Sequence, residues 1–115
     1  MKKEDLRIVF MGTPEFAVPI LDKLIQNEYS IVGVVTAPDR PSGRGQKINE
    51  SAVKVFSKSN GLTVLQPTNL KDDSFLSILK ALNANLQIVV AFRMLPKVVW
   101  QMPSLGTFNL HASLL

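Results

Sequence analysis

The sequence contains no cysteine and a single histidine. Without cysteine there is no disulfide, no thiolate metal ligand and no cysteine nucleophile. One imidazole with no second His or Cys does not complete a metal site of the usual kind, so no metal is expected. Apolar runs are short as well, none approaching the ~20 residues that span a bilayer. The opening Met1-Lys2-Lys3-Glu4-Asp5 carries both charge signs and is followed by only a brief apolar run before Gly12, unlike a secretory leader. The lack of cysteine suits a reducing compartment. A cytoplasmic protein with no membrane partner is the expectation. The turn FMGTPEF, residues 10–16, offers one glycine where a dinucleotide fingerprint needs three, and no Walker lysine follows. Gly12 reads as a tight strand-to-helix turn.

The 115 residues make at most one domain, and 46% of them are hydrophobic against 19% charged. A chain of this length buries about two-thirds of its unfolded surface, and the composition excludes disorder.

Apolar, β-branched runs alternate with segments of helical period. Residues 7–11 form a short apolar run broken by Gly12-Thr13-Pro14. Residues 15–26 then carry Phe16, Ala17, Ile20, Leu21, Leu24 and Ile25 at helical spacing. Thr13 is the expected N-cap with Pro14 at the first helical position, although Pro19 blurs where that helix starts. Residues 30–36 predict a second strand, 51–60 a helix capped by Gly61, and 62–66 a third strand. Residues 72–82 repeat the helical period through Phe75, Ile78, Leu79 and Leu82. Residues 86–92 predict a buried fourth strand, 95–101 a short helix opened by Pro96, and 106–110 a fifth strand. Such alternation predicts an α/β fold, a Rossmann-like parallel sheet with helices on both faces. Ligands of these sheets bind beyond the carboxyl ends of the strands.

Residues 37–50, APDRPSGRGQKINE, read as a long loop, a length that in compact domains usually serves function. Between Arg40 and Lys58 stand five cations (Arg40, Arg44, Lys47, Lys54, Lys58) against one acid, Glu50. A local basic patch is the footprint of a polyanion such as nucleic acid. A solvated loop and helix face is the alternative.

Asn109-Leu110-His111 closes the predicted fifth strand. The strand period of two puts the Asn109 amide and the His111 imidazole on one side. Two donors sharing a side can stabilise an oxyanion developing on a carbonyl under attack. From spacing alone, a structural histidine beside a turn asparagine is the competing reading.

The segment FNLHASLL resembles the N-[ILV]-H-x-S-L-L-P signature of the folate-dependent formyltransferases. FMGTPEFAVPIL, APDRPSGRGQKI, SNGLTVLQP and VVAFRMLPK are similar, in order and spacing, to segments of the family branch that acts on initiator tRNA. The resemblance spans essentially the whole chain. It implies formyl transfer from 10-formyltetrahydrofolate to the α-amino group of methionyl initiator tRNA. Asn109 and His111 match the family's catalytic pair. Ser113, Leu114 and Leu115 match residues bordering the folate site, and Phe92, Arg93, Met94 and Leu95 match the segment against its pterin end. Arg40, Arg44 and Lys47 match a basic loop that approaches the tRNA acceptor arm. Many members open the fourth strand with Asp where this chain has Asn85. The resemblance further implies that residues 1–115 are the N-terminal part of a longer enzyme, monomeric when complete. Its catalytic aspartate and C-terminal tRNA-binding β-barrel would lie beyond Leu115. Two other readings stand beside this one: a family member acting on a sugar-nucleotide or ribonucleotide amine, and a non-catalytic Rossmann-like binding module.

Overall fold

The computed structural model of the protein describes residues 1–42 and 47–110. Its centre is a parallel sheet built on β1 (Arg7–Gly12), which pairs with β2 (Ser30–Val35) on one side and β6 (Leu86–Val90) on the other. β5 (Val64–Leu65) extends the sheet beyond β2, and β7 (Thr107–Asn109) extends it beyond β6, giving the order β5-β2-β1-β6-β7. The chain therefore winds outward from β1 in one direction, returns, and winds outward in the other. The strand order reverses between β1 and β6.

Helices cover both faces, as the alternation predicts. Along β1, Val9 and Met11 point to one face and Phe10 to the other. The first face gathers Val9, Met11, Val35 and Val89 with Phe75 and Leu79 of α3 (Asp73–Ala81), Val99 of α4 (Lys97–Trp100) and Leu70. The second gathers Phe10, Val34 and Val90 with Ala17, Leu21 of α1 (Val18–Gln26) and Val53 of α2 (Ala52–Ser59). Neighbouring residues such as Val34 and Val35 are both fully buried, which is why the strands read as continuous apolar runs rather than alternating ones.

The start of the first helix differs from expectation. Pro14 is extended (φ −76°, ψ 168°), a single 3-10 turn follows over Glu15–Ala17, and α1 begins only at Val18. Pro19 thus falls in the first turn, where its missing N–H breaks no helical bond. Thr13 caps nothing; its Oγ1 accepts from the Ala37 N–H at 3.3 Å and ties the ends of β1 and β2 together. Gly12 is required by close approach: a Cβ there would lie 2.8 Å from the Val90 carbonyl oxygen. Gly61 caps α2 as expected, and two N-caps join it. Ser51 accepts from the Lys54 N–H at 3.0 Å, Asp72 from the Phe75 N–H at 3.1 Å, and Gly61 takes a left-handed φ of 69° after α2.

The described residues of the segment 37–50 differ from the expected loop. They include a two-stranded antiparallel ribbon, β3 (Arg40–Ser42) with β4 (Lys47–Asn49). Three-residue strands are too short to show a period, and Pro41 is tolerated because a two-stranded ribbon is all edge. The pairs are Arg40 with Asn49, Pro41 with Ile48, and Ser42 with Lys47. Opposed residues share a face, so Arg40 and Lys47 lie on one face and Pro41 and Ile48 on the other. Among the described residues, no helix is long and apolar enough to cross a membrane.

Candidate active site

The ends of β6 and β7 build the first wall of the site. β6 stops at Val90, and Ala91 adopts a left-handed φ of 51° that turns the chain abruptly into Phe92. A non-glycine residue held in that region is mildly strained, a feature that clusters at ligand sites. The turn carries Phe92, Arg93, Met94 and Leu95 over the end of the sheet. Across from them stand Asn109 and Thr107 on β7, with Trp100 of α4 beside them and Val89 as the floor. They enclose a cavity of about 520 Å³, within the size range of small-molecule sites. Its lining is mixed, with Asn109, Thr107 and Arg93 on the polar side and Val89, Phe92, Met94, Leu95 and Trp100 on the apolar side. A flat ring system with polar edges fits such a lining.

Asn109 reaches this cavity through the sheet register. It pairs with Val89, and the next amide, Leu110 N–H, donates to the Val89 carbonyl at 2.8 Å. Thr107 lies two residues earlier on the same side. Its Oγ1 is 2.8 Å from the Trp100 carbonyl and 2.9 Å from the amide of the fully buried Gln87. A hydroxyl has one proton, so both contacts are satisfied when Gln87 turns its NH₂ toward Thr107 and Thr107 donates to Trp100. This chain of bonds fixes the end of α4, and with it the Trp100 wall, against β7.

Arg93 braces the turn. Its Nη2 donates to the Pro67 carbonyl at 2.7 Å and its Nη1 to the Thr68 carbonyl at 3.1 Å, while the guanidinium lies 4.9 Å from the centre of the Phe92 ring. Burial pushes this guanidinium down from the ordinary arginine value, but not far enough to lose its charge.

A second cavity, of about 560 Å³, straddles the point where the strand order reverses. Thr13 comes to it from the end of β1, Ala37, Pro38 and Arg40 from beyond β2, and Ala91 from the end of β6. Phe92 and Arg93 line both cavities, so a ligand in one lies beside a ligand in the other. Arg40, at the foot of the ribbon, connects the basic segment to this site.

The charge of that segment is less free than its sequence suggests. Lys54 Nζ lies 2.6 Å from Asp39 Oδ2 and 2.8 Å from Glu50 Oε2, and Lys58 Nζ lies 3.2 Å from the same Glu50 oxygen. Two of the five cations are therefore paired, one of them with an acid just outside the stretch from Arg40 to Lys58. Among the described residues Arg40 and Lys47 have no ion-pair partner, and both are exposed.

The structure thus brings Asn109 together with Phe92, Arg93, Met94 and Leu95, and places Arg40 at the adjoining cavity. Lys47 lies on the ribbon and lines neither cavity. Arg44, His111, Ser113, Leu114 and Leu115 lie outside the described residues. Trp100, Thr107, Thr13 and Pro38 line the site without having been read as site residues from sequence, Thr13 having been read as a helix cap; only Thr107, two residues before Asn109 in strand period, carried a signal that could have found it. Among the described residues, no group of three or more His, Asp or Glu side chains could hold a metal ion.

A family model described as formyl transferase matches residues 6–115. The chain is 76% identical over 112 residues to the methionyl-tRNA formyltransferase of Flavobacterium johnsoniae, covering 97% of this chain and 36% of that protein. It is 66% identical over 116 residues to that of Parabacteroides distasonis and 57% identical over 115 residues to that of Porphyromonas gingivalis, again covering 36% of each. The chain spans about a third of the length of these curated relatives.

Proposed function

The chain belongs to the formyl transferase family, and from that premise we propose that it supplies the catalytic-domain N-terminal part of an enzyme that formylates methionyl initiator tRNA. The observation that carries this reading is the cavity where Asn109 faces the turn Phe92-Arg93-Met94-Leu95 at the carboxyl end of the sheet. A charged initiator tRNA as acceptor puts the reaction in the cytoplasm. The formyl donor, 10-formyltetrahydrofolate, supplies an activated carbonyl and a nitrogen leaving group.

The first cavity suits the donor: Phe92, Leu95 and Trp100 offer apolar walls, and the polar groups near Asn109 orient what they hold. The second cavity, open to Arg40, is the side from which a tRNA-borne amine approaches. The methionyl nitrogen forms a bond to the formyl carbon, the bond from that carbon to the folate nitrogen breaks, and the proton lost by the amine is matched by one gained at the leaving nitrogen. Negative charge develops on the formyl oxygen. The Asn109 amide donates to it, and the His111 imidazolium, the match to the second member of the family's catalytic pair, is the second donor. Fixed donors at such an oxygen commonly contribute a factor of about 10²–10³ each.

In the full-length protein, Asn109→Ala and His111→Ala should each lower kcat by about 10²–10³ with tRNA affinity nearly unchanged. Near-normal turnover in either variant would remove the oxyanion assignment. Transfer to a small sugar-nucleotide amine in preference to methionyl-tRNA would move the protein to another branch of the family.

A further inference from the structure

The ribbon β3–β4 enters and leaves the body of the protein at two acids. Asp39 immediately precedes β3, and Glu50 immediately follows β4. Lys54, in the first turn of α2, reaches both: its Nζ is 2.6 Å from Asp39 and 2.8 Å from Glu50, and its side chain is only 14% exposed. The remaining Asp39 oxygen accepts from Gln66 Nε2 at 2.7 Å, and the same Nε2 donates to the Ala37 carbonyl at 3.1 Å. Ser51 caps α2 and bonds the Thr36 hydroxyl at 2.7 Å. Both feet of the ribbon are thus gathered onto one cation projecting from a capped helix. Among the described residues the ribbon has little else to hold it, since Arg40, Pro41 and β4 are exposed and Ile48 is 69% exposed.

We propose that Lys54 is a positioning residue for the tRNA acceptor: by bridging Asp39 and Glu50 it holds the ribbon upright, with Arg40 at the mouth of the second cavity and the Arg40–Lys47 face toward the phosphates. The inference rests on the proposed function. Lys54 touches neither cavity and its charge is matched by its two acids, so it contributes nothing to the chemistry and little directly to phosphate binding. Its effect is on where Arg40 sits. Loss of the ammonium leaves Asp39 and Glu50 with no cation between them, Lys58 reaching only Glu50, and the repulsion of like charges drives the ribbon's feet apart. The shifts of the three groups agree with a coupled cluster. The Lys54 hydrogen bond lowers Asp39, with Gln66 adding to it; the Lys54 hydrogen bond lowers Glu50; and the bond to Asp39 raises Lys54.

The test uses Lys54→Met and Lys54→Arg in the full-length protein. Lys54→Met, which keeps the apolar stem, should raise the KM for methionyl-tRNA about 5- to 30-fold, with kcat and the folate KM unchanged. Lys54→Arg, still able to span both carboxylates, should restore most of the loss. Simple destabilisation would lower the active fraction and hence apparent kcat, leaving KM alone. An unchanged tRNA KM, or a fall in kcat without a KM change, overturns the proposal. Hydrogen exchange at the amides of Arg40–Ser42 and Lys47–Asn49 separates this inference from the reading it rests on. If wild-type protein formylates no tRNA, the proposed function fails, and faster exchange in Lys54→Met supports the clamp by itself, whereas unchanged exchange removes it.

Discussion

Asn85 shows how much one side chain can hold. Buried just before β6, it accepts from the Arg7 N–H at 2.8 Å through Oδ1 and donates to the Asp5 carbonyl at 2.7 Å through Nδ2. Its own backbone N–H and C=O bond Arg7 and Leu105 at 2.9 and 2.8 Å. The sequence marks Asn85 only as a departure from the aspartate many family members carry; the amide's two-sided bonding explains why asparagine suits this chain. An ionised aspartate in its place could not donate to the Asp5 carbonyl and would set a charge against it, so Asn85→Asp should destabilise the protein by about 1–3 kcal/mol at neutral pH. Burial would raise the folded-state pKa of the new carboxyl above its unfolded value. The protonated acid can donate as the amide does, so the deficit against wild type should shrink as pH falls through that raised value and be largest above it. Denaturant melts of both proteins across acid pH check this, and a deficit independent of pH would contradict it. Ser57 is the opposite case. Its hydroxyl is fully buried in α2 and, among the described residues, has no hydrogen-bond partner. Ser57→Ala removes a desolvated polar group without leaving a large void and should raise stability by about 1 kcal/mol, readable as an increase in Tm.

Elements of one face and regular period were legible in the sequence; short ones were not. Strands β1, β2 and β6 announced themselves because both faces are buried, and α3 because Phe75 and Leu79 meet the core at helical spacing. The ribbon was hidden, since its stability comes from pairing and from contacts with α2 and Gln66 rather than from a pattern within residues 40–49. The α1 start was misplaced because Thr13 is a good cap by residue type, but the register of β1 and β2 draws its hydroxyl to Ala37 instead. Ser51 joins these two kinds of information. It caps α2, a position that favours its residue type, and it is also the hydrogen-bond partner of Thr36, whose residue is fully buried. Ser51→Ala loses the cap and strands a buried hydroxyl, so it should cost about 1–2 kcal/mol. Ser51→Asp, which keeps a capping oxygen, should recover part of that in the same chemical melt. Acid should act on the neighbouring clamp in a defined direction. Asp39 and Glu50 titrate below their ordinary values in the folded state, so their contribution is fully present above the unfolded carboxylate range. It fades as pH falls through that range toward the lowered folded values. Ribbon amides should therefore lose exchange protection on acidification before the central sheet does.

At the scale of the molecule, the winding order places the candidate site. Because strands run outward from β1 in both directions, the carboxyl ends of β1 and β6 leave a crevice between them, and the turns after those strands line it. Sequence reasoning could put Asn109 and the 92–95 turn at strand ends. It could not show that they share a cavity, because that depends on β7 pairing with β6 in the register Val89 to Asn109. Nor could it weigh the basic segment correctly: five cations in line suggested a uniform patch, but folding pairs Lys54 and Lys58 with Asp39 and Glu50 and leaves Arg40 and Lys47 exposed on one ribbon face. If the proposed function holds, this predicts an uneven response of tRNA binding to salt. Each cation that neutralises a phosphate releases counterions and adds about one to the slope of log affinity against log salt. In the full-length protein, Arg40→Ala and Lys47→Ala should each flatten that slope by about 1, and adding Arg44→Ala should flatten it further. Lys58→Ala should leave the slope nearly unchanged, because Glu50 already balances much of its charge. Titrations of methionyl-tRNA at several salt concentrations would read all four variants. Equal losses of slope for Lys58 and Arg40 would mean that the whole stretch acts as a diffuse basic surface, and that the ribbon face has no special part in holding the acceptor.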